Sequence, residues 1–294
     1  MEILIMVLKV LVFGIVEGFT EWLPISSTGH MILLDELIRL EVTPEFREVF
    51  LVVIQLGAIL AVVVLYFQKL NPFMRADRIR EKDEAHVIRI ANRIALKIPV
   101  VLLWSRVVVA CLPAAVLGLL FDDWIDVHLM NAYVVAAMLI LYGILFLVVE
   151  NRNYGVRASV TKVNHIDYRM AFLIGWAQVL ALIPGTSRSG ATILGAMLLG
   201  CARPAAAEFS FFLGIPVMFG ASLLKLVKFG LHFSGGELFI LLFGMLVAFL
   251  MSVYSIRFLM NYIHRNDFRL FGIYRIILGI VVLIFFAVKA LLGV

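Results

Sequence analysis

Apolar positions along this chain fall into long runs rather than stripes. Six of them, residues 50–67, 99–121, 131–149, 208–226, 238–259 and 273–292, are each close to the roughly 20 residues needed to cross the hydrocarbon core of a bilayer. They predict six transmembrane helices. Two further stretches, residues 3–34 and 170–199, are apolar at their ends and interrupted in the middle by Pro, Gly, Ser and charged residues. Unpaired backbone cannot face lipid, so such a segment must be buried in protein or line a wet cavity. Both therefore read as re-entrant pairs of half-helices, and the fold class as an all-α polytopic membrane protein.

Composition agrees: 63% of the 294 residues are hydrophobic and 15% charged, far from the balance of a soluble domain. A net charge of +5 would suggest an anionic partner in a soluble protein, but here the basic residues cluster in loops and set orientation, so no nucleic-acid partner is expected. Residues 69–97 carry Lys69, Arg75, Arg78, Arg80, Lys82, Arg89, Arg93 and Lys97, and residues 151–169 add Arg152, Arg157, Lys162 and Arg169. Both loops are expected in the cytoplasm. Asp122, Asp123 and Asp126, in a turn without Lys or Arg, and the acidic stretch 35–48 are expected outside. Cys111 and Cys201 lack the spacing of a disulfide framework or zinc site and read as packing residues. The first apolar run has no small-residue cleavage site and is expected to remain in the mature protein.

The two broken segments resemble each other: GIVEGFTEWLPISSTGHMILL from Gly14 and GWAQVLALIPGTSRSGATILG from Gly175. Gly14 pairs with Gly175, Glu17 with Gln178, Pro24 with Pro184, Ser27 with Ser187 and Gly29 with Gly190, allowing a one-residue shift about the prolines. Each broken segment is followed by three spans. Three is odd, so the second copy enters from the opposite side: residues 1–150 and 170–294 form an inverted-topology repeat within one membrane domain, with half-helix tips meeting near the midplane.

Candidate chemistry lies at the breaks. Glu17 and Glu21, spaced i, i+4, share one helix face and can share a divalent cation or a proton. Charged residues at such depth are rare without a function. Ser26, Ser27, Thr28 and His30 follow; the hydroxyls alone would cap the next half-helix, but His30 adds a general base, a nucleophile or a proton donor. The second break, from Pro184 to Thr192, reads as an anion cradle. Gly185 allows close approach of backbone, the half-helix start offers free N–H groups, and Ser187, Ser189 and Thr192 add hydroxyls. Arg188 supplies a permanent charge and a planar fork of donors suited to phosphate. Arg106, inside an apparent span, reads as snorkelling or structurally paired.

These residues are similar to the motifs of the bacterial undecaprenyl-diphosphate phosphatase family, also known as the bacitracin-resistance protein family. Glu17 and Glu21 stand for its acidic motif, Ser26 to His30 for its serine-histidine stretch, and Pro184, Gly185, Ser187, Arg188, Ser189 and Thr192 for its second motif. The resemblance covers essentially the whole chain. It implies hydrolysis of undecaprenyl diphosphate to the monophosphate carrier, recycled for cell-wall synthesis, and bacitracin resistance. It also implies a divalent cation, magnesium or calcium, near Glu17 and Glu21, and a plasma-membrane site open to the outer side. Ser27 assisted by His30, His30 itself, or water all fit the spacing as nucleophile; Ser27 is preferred. Type-2 phosphatidic acid phosphatases expect a histidine after their Ser-Arg pair, where Leu194 stands here. A transporter of phosphorylated lipid remains the alternative from another class, because paired broken helices serve transport as well. A homodimer is compatible with the sequence.

Overall fold

The computed structural model describes residues 2–75, 86–91, 93–230 and 232–292. The chain runs α1 (Glu2–Thr20), α2 (Ser27–Leu37), α3 (Pro44–Leu65), a short α4 (Phe67–Leu70), strands β1 (Phe73–Arg75), β2 (Val87–Ala91) and β3 (Ile94–Lys97), α5 (Ile98–Leu129), α6 (Ala132–Arg152), α7 (Tyr168–Val179), α8 (Arg188–Leu198), α9 (Arg203–Phe229), α10 (Gly235–Ile263) and α11 (Arg269–Leu292). Among the described residues, seven helices are long and apolar enough to cross a membrane: α1, α3, α5, α6, α9, α10 and α11. The protein is an all-α, multi-pass membrane protein.

The seventh is α1, which the sequence places in a half-helix pair. Glu17 does not break the helix, since Glu is a good helix former; the break falls later, and α1 reaches 19 residues. In the second segment the break comes earlier, leaving α7 with 12 residues and α8 with 11. At 1.5 Å per residue, α8 is only about 16 Å long, too short to span. Asp122, Asp123 and Asp126 lie within α5 rather than in a turn; its 32 residues outrun the hydrocarbon core, so its end projects beyond it. The basic loop contains a small antiparallel sheet, order β1-β3-β2, hidden in the sequence by the charges interleaved with its apolar residues. Arg78, Arg80 and Lys82 of that loop lie outside the described residues.

Helix faces confirm which sides meet lipid and which meet protein. On α5, Leu103, Val107 and Ala110 are buried, while Val108, Leu112 and Val116 are about half exposed. Both faces are apolar because one packs in the core and the other faces acyl chains. Glycines let helices approach at two corresponding places: a Cβ on Gly18 of α1 would sit 2.3 Å from the Ala248 carbonyl of α10, and one on Gly175 of α7 2.3 Å from the Ala110 carbonyl of α5. Thus α1 docks on a long helix of the second half and α7 on a long helix of the first. The halves are interleaved, and the two breaks meet.

Candidate active site

Each break ends in a serine that caps the helix after it. Ser26 precedes α2 and Ser187 precedes α8, and each side chain accepts the N–H of the residue three positions on, Gly29 at 3.4 Å and Gly190 at 3.2 Å. Their φ values are 72° and 71°, and they are the only non-glycine residues with positive φ among those described. A conformation this unfavourable costs on the order of 1–3 kcal/mol and persists only where its surroundings enforce it. The matching caps set Ser26 against Ser187 and Gly29 against Gly190. Ser27 therefore corresponds to Arg188 and not, as the prolines suggest, to Ser187.

Across this boundary runs a chain of polar contacts. Arg188 donates from Nη2 to Oε1 of Glu21 at 3.2 Å and from Nη1 to the Ser210 carbonyl of α9 at 2.8 Å. Its guanidinium lies over the Trp22 ring, 5.6 Å from the centroid, and its Nε–H has no partner within the protein. Ser27 Oγ donates to the other Glu21 oxygen, Oε2, at 2.8 Å. Glu17, one turn before, is 1% exposed; Gln55 of α3 hydrogen-bonds it, and its Oε1 is unpartnered. A buried carboxylate oxygen without a partner carries a full desolvation penalty unless a proton, a cation or a ligand completes it.

His30 is not paired with Ser27. Its Nδ1 lies 2.7 Å from the Ser26 carbonyl, which requires that nitrogen to carry the proton, and its Nε2 lies 2.7 Å from the Tyr274 hydroxyl of α11. The rings of His30 and Tyr274 stack at 5.6 Å. Both imidazole nitrogens are thus engaged away from Ser27, whose hydrogen-bond partner is Glu21. The three-residue spacing on a helix allows the serine–histidine pair but does not compel it, and the carboxylate one helix earlier takes the hydroxyl instead.

The cradle residues divide in two. Ser189 donates to the Glu21 carbonyl at 3.1 Å, tying the second break to the first. Thr192 Oγ1 donates to the Arg188 carbonyl at 2.9 Å and pairs with Ser210 Oγ at 2.7 Å. These two hydroxyls are committed to the scaffold rather than turned to a ligand. Ser187 is shared between its cap and Ser189, 3.1 Å away. Gly185, with φ 90°, is packed so closely that a Cβ would lie 2.5 Å from the Val135 carbonyl; its glycine serves backbone packing. Thr28 is part-buried at the start of α2, on the same turn as Ser27.

Arg275 was not singled out by the sequence. It is fully buried and donates to the carbonyls of Gly185 at 2.9 Å, Thr186 at 2.8 Å and Pro24 at 3.3 Å. Weaker contacts reach Met138 and Leu139 of α6. One guanidinium thus satisfies carbonyls that both breaks leave without helical partners. The available signal was an arginine within the expected span 273–292, which near its start reads as interfacial. Because α11 begins at Arg269, Arg275 lies nearly two turns in. Arg106 bonds the Asn164 carbonyl at 2.9 Å, the structural pairing expected of it.

A divalent cation can be tested against these donors. No cluster of three or more His, Cys, Asp or Glu occurs among the described residues. The donor set is two buried carboxylates, one with an unpartnered oxygen and one engaged by Arg188 and Ser27. Magnesium binds commonly through one or two carboxylates with the remaining ligands from phosphate and water, so the residues fit a cation shared with a phosphorylated substrate.

Fold and site together define a multi-pass membrane protein with a buried centre of carboxylate, hydroxyl and guanidinium groups where its two helix breaks meet. A family model described as "Bacitracin resistance protein BacA" matches residues 10–281. The chain is 55% identical over 291 residues to an undecaprenyl-diphosphatase of Desulfitobacterium hafniense, covering 99% of both chains. It is 56% identical over 279 residues to one of Acetivibrio thermocellus, covering 95% of this chain and 97% of that one. A third, from Enterococcus faecalis, is 54% identical over 282 residues, covering 96% and 98%. The chain belongs to the bacitracin resistance protein BacA family.

Proposed function

We propose that this protein is an undecaprenyl-diphosphate phosphatase of the bacterial plasma membrane. It removes the terminal phosphate from the lipid on the outer side and returns the monophosphate carrier to cell-wall synthesis, which confers resistance to bacitracin. The observation that carries this reading is the continuous Ser27–Glu21–Arg188 chain of hydrogen bonds at the meeting of the two breaks.

In this reading Ser27 Oγ attacks the terminal phosphorus while Glu21 takes its proton. The bond to the bridging oxygen breaks, the lipid monophosphate leaves, and water then frees phosphate from the serine. Arg188 faces the charge that develops on the phosphoryl oxygens, and its unpartnered Nε–H is a donor still available for it. Glu17, with Glu21, would hold the magnesium or calcium ion, which when bound neutralises diphosphate charge. Ser26 and Ser187 fix the starts of α2 and α8, so that Ser27, Thr28 and Arg188 stand at helix N-termini suited to anions. His30 serves through Tyr274 to seat α2 against α11.

The inverted arrangement of residues 1–150 and 170–294 is part of the same proposal. It is supported by the matched caps Ser26 and Ser187 and by the reciprocal docking of α1 on α10 and α7 on α5. An activated hydroxyl favours hydrolysis over carriage of the lipid, since a transport site needs no nucleophile. The test is inorganic phosphate release from undecaprenyl diphosphate by the purified protein in detergent, with and without chelator. Release that depends on metal and on Ser27 is expected; none from folded, lipid-binding protein overturns the reading.

A further inference from the structure

Beside Arg188 a cavity of about 760 Å³ opens between α5, the turn after α7, and α9. Its side chains are apolar apart from Arg188 and Gln178. Leu119 and Val227 on its rim are 74% and 63% exposed, so it opens to the apolar outer surface of the helix bundle. Gln178 is 2% exposed, and neither its Oε1 nor its Nε2 has a hydrogen-bond partner. An amide buried without partners loses several kcal/mol relative to water, and such a group in a native fold points to a ligand that completes it. The cavity is thus amphiphilic in one direction, with a cation and an unsatisfied amide at its inner end and hydrocarbon walls leading outward.

We propose that this cavity seats the prenyl chain next to the diphosphate and that the Gln178 amide donates to the phosphate that carries the chain. The inference rests on the phosphatase reading for the identity of the amphiphile. Gln178 is a binding residue here: Ser27 faces the terminal phosphate, and Gln178 holds the one that stays on the lipid. It corresponds in the repeat to Glu17, so one half would supply a carboxylate and the other a neutral donor to the same diphosphate. The small residues of the walls provide the room. A Cβ on Gly118 would meet only Leu182 at 3.5 Å, and one on Gly220 would meet nothing within 4 Å. Both are helical, so a larger side chain there fills the cavity without straining backbone.

Two measurements on the full chain test this. In the first, farnesyl diphosphate turnover is compared with that of the five-carbon dimethylallyl diphosphate for Gly118→Leu, Gly220→Leu and Gln178→Leu. The filling variants are expected to raise KM about tenfold for the longer chain, with a smaller effect on the shorter one. Gln178→Leu should raise KM for both, by about fivefold or more, and Gln178→Glu further, because its charge repels phosphate. The second measurement needs no turnover. Cys111 lines the cavity, and in a Cys201→Ser background its alkylation by N-ethylmaleimide should slow severalfold when a farnesyl methylenebisphosphonate is added. Phosphatidylglycerol should protect less.

Unchanged KM in the filling variants, or equal protection by phosphatidylglycerol, overturns the proposal and makes the cavity an ordinary lipid crevice. If the wild-type chain releases no phosphate while the bisphosphonate still protects Cys111, the phosphatase reading fails and the cavity assignment stands.

Discussion

The Ser27 hydroxyl donates to Oε2 of Glu21 at 2.8 Å, so the acceptor for this hydroxyl is a carboxylate just past the end of α1 and not the imidazole of His30 one turn further along α2. Two residues that act as one nucleophile–base unit lose their effect together. Ser27→Ala and Glu21→Gln should each lower kcat/KM by about 10²-fold or more. The double variant should be scarcely worse than the more severe single one. Phosphate release from the three proteins measures this, and losses that multiply would separate the two side chains.

Arg188 faces three ways at once, to Glu21, to the Ser210 carbonyl and to the Trp22 ring. Lysine keeps the charge but is a compact ammonium without the planar fork. Arg188→Lys is therefore expected to retain the fold and lose most turnover, and Arg188→Ala to abolish it. Removing the cation also leaves Glu21 buried without its counter-charge, a loss of roughly 3–5 kcal/mol for a pair of this kind. Arg188→Ala should accordingly melt earlier than Arg188→Lys. Near-normal activity in either variant would place Arg188 outside the chemistry.

Much of this was legible in the sequence because lipid imposes strict rules on it. The long apolar runs gave the spans, and the broken ones gave the two places where backbone leaves the helix, which is where Ser27, Glu21 and Arg188 meet. What was not legible depends on position in space. The full length of α1 was hidden because Glu17 and Glu21 look like an interruption yet sit within or beside good helix. The pairing of Ser27 with Ser187 was read one residue off, since prolines mark the break but the serine caps fix it; Gly14, Glu17 and Gly29 keep the register of the caps. The partners of Ser27 and His30 depend on side-chain directions across three helices, and Arg275 acts on carbonyls up to 251 positions away. No local pattern encodes such contacts.

Arg275 supports both breaks and touches none of the groups proposed to react. Its loss should therefore appear as instability rather than as slow chemistry. Arg275→Met removes the donors of the Gly185, Thr186 and Pro24 carbonyls inside a dry interior, and a charged donor to a carbonyl contributes about 1.5–3 kcal/mol. A fall of about 6 °C or more in melting temperature is expected in detergent. Arg275→Lys should recover little, because one ammonium cannot reach carbonyls set around a planar fork. A variant of unchanged melting temperature and reduced kcat would instead move Arg275 into the reacting centre.

Glu17 separates the metal question from the nucleophile question. Its surroundings differ from those of Glu21: Gln55 and the Glu21 carboxylate one turn on lie beside it, Ser27 and Arg188 bond Glu21 instead, and its Oε1 is unpartnered. If Glu17 holds the cation, Glu17→Gln should keep its neutral hydrogen bond to Gln55 and its place in α1 while losing one anionic ligand. Activity would then need at least about tenfold more magnesium for half-saturation, and part of the loss would be recovered at high metal. Glu21→Gln disturbs Ser27 and Arg188 as well, so high metal should not restore it. A magnesium titration of phosphate release decides the matter, with chelator-treated wild type as the zero point. A Glu17→Gln curve that keeps the wild-type midpoint and only drops in height would assign Glu17 to the scaffold or to proton transfer, and would leave the cation to the diphosphate alone.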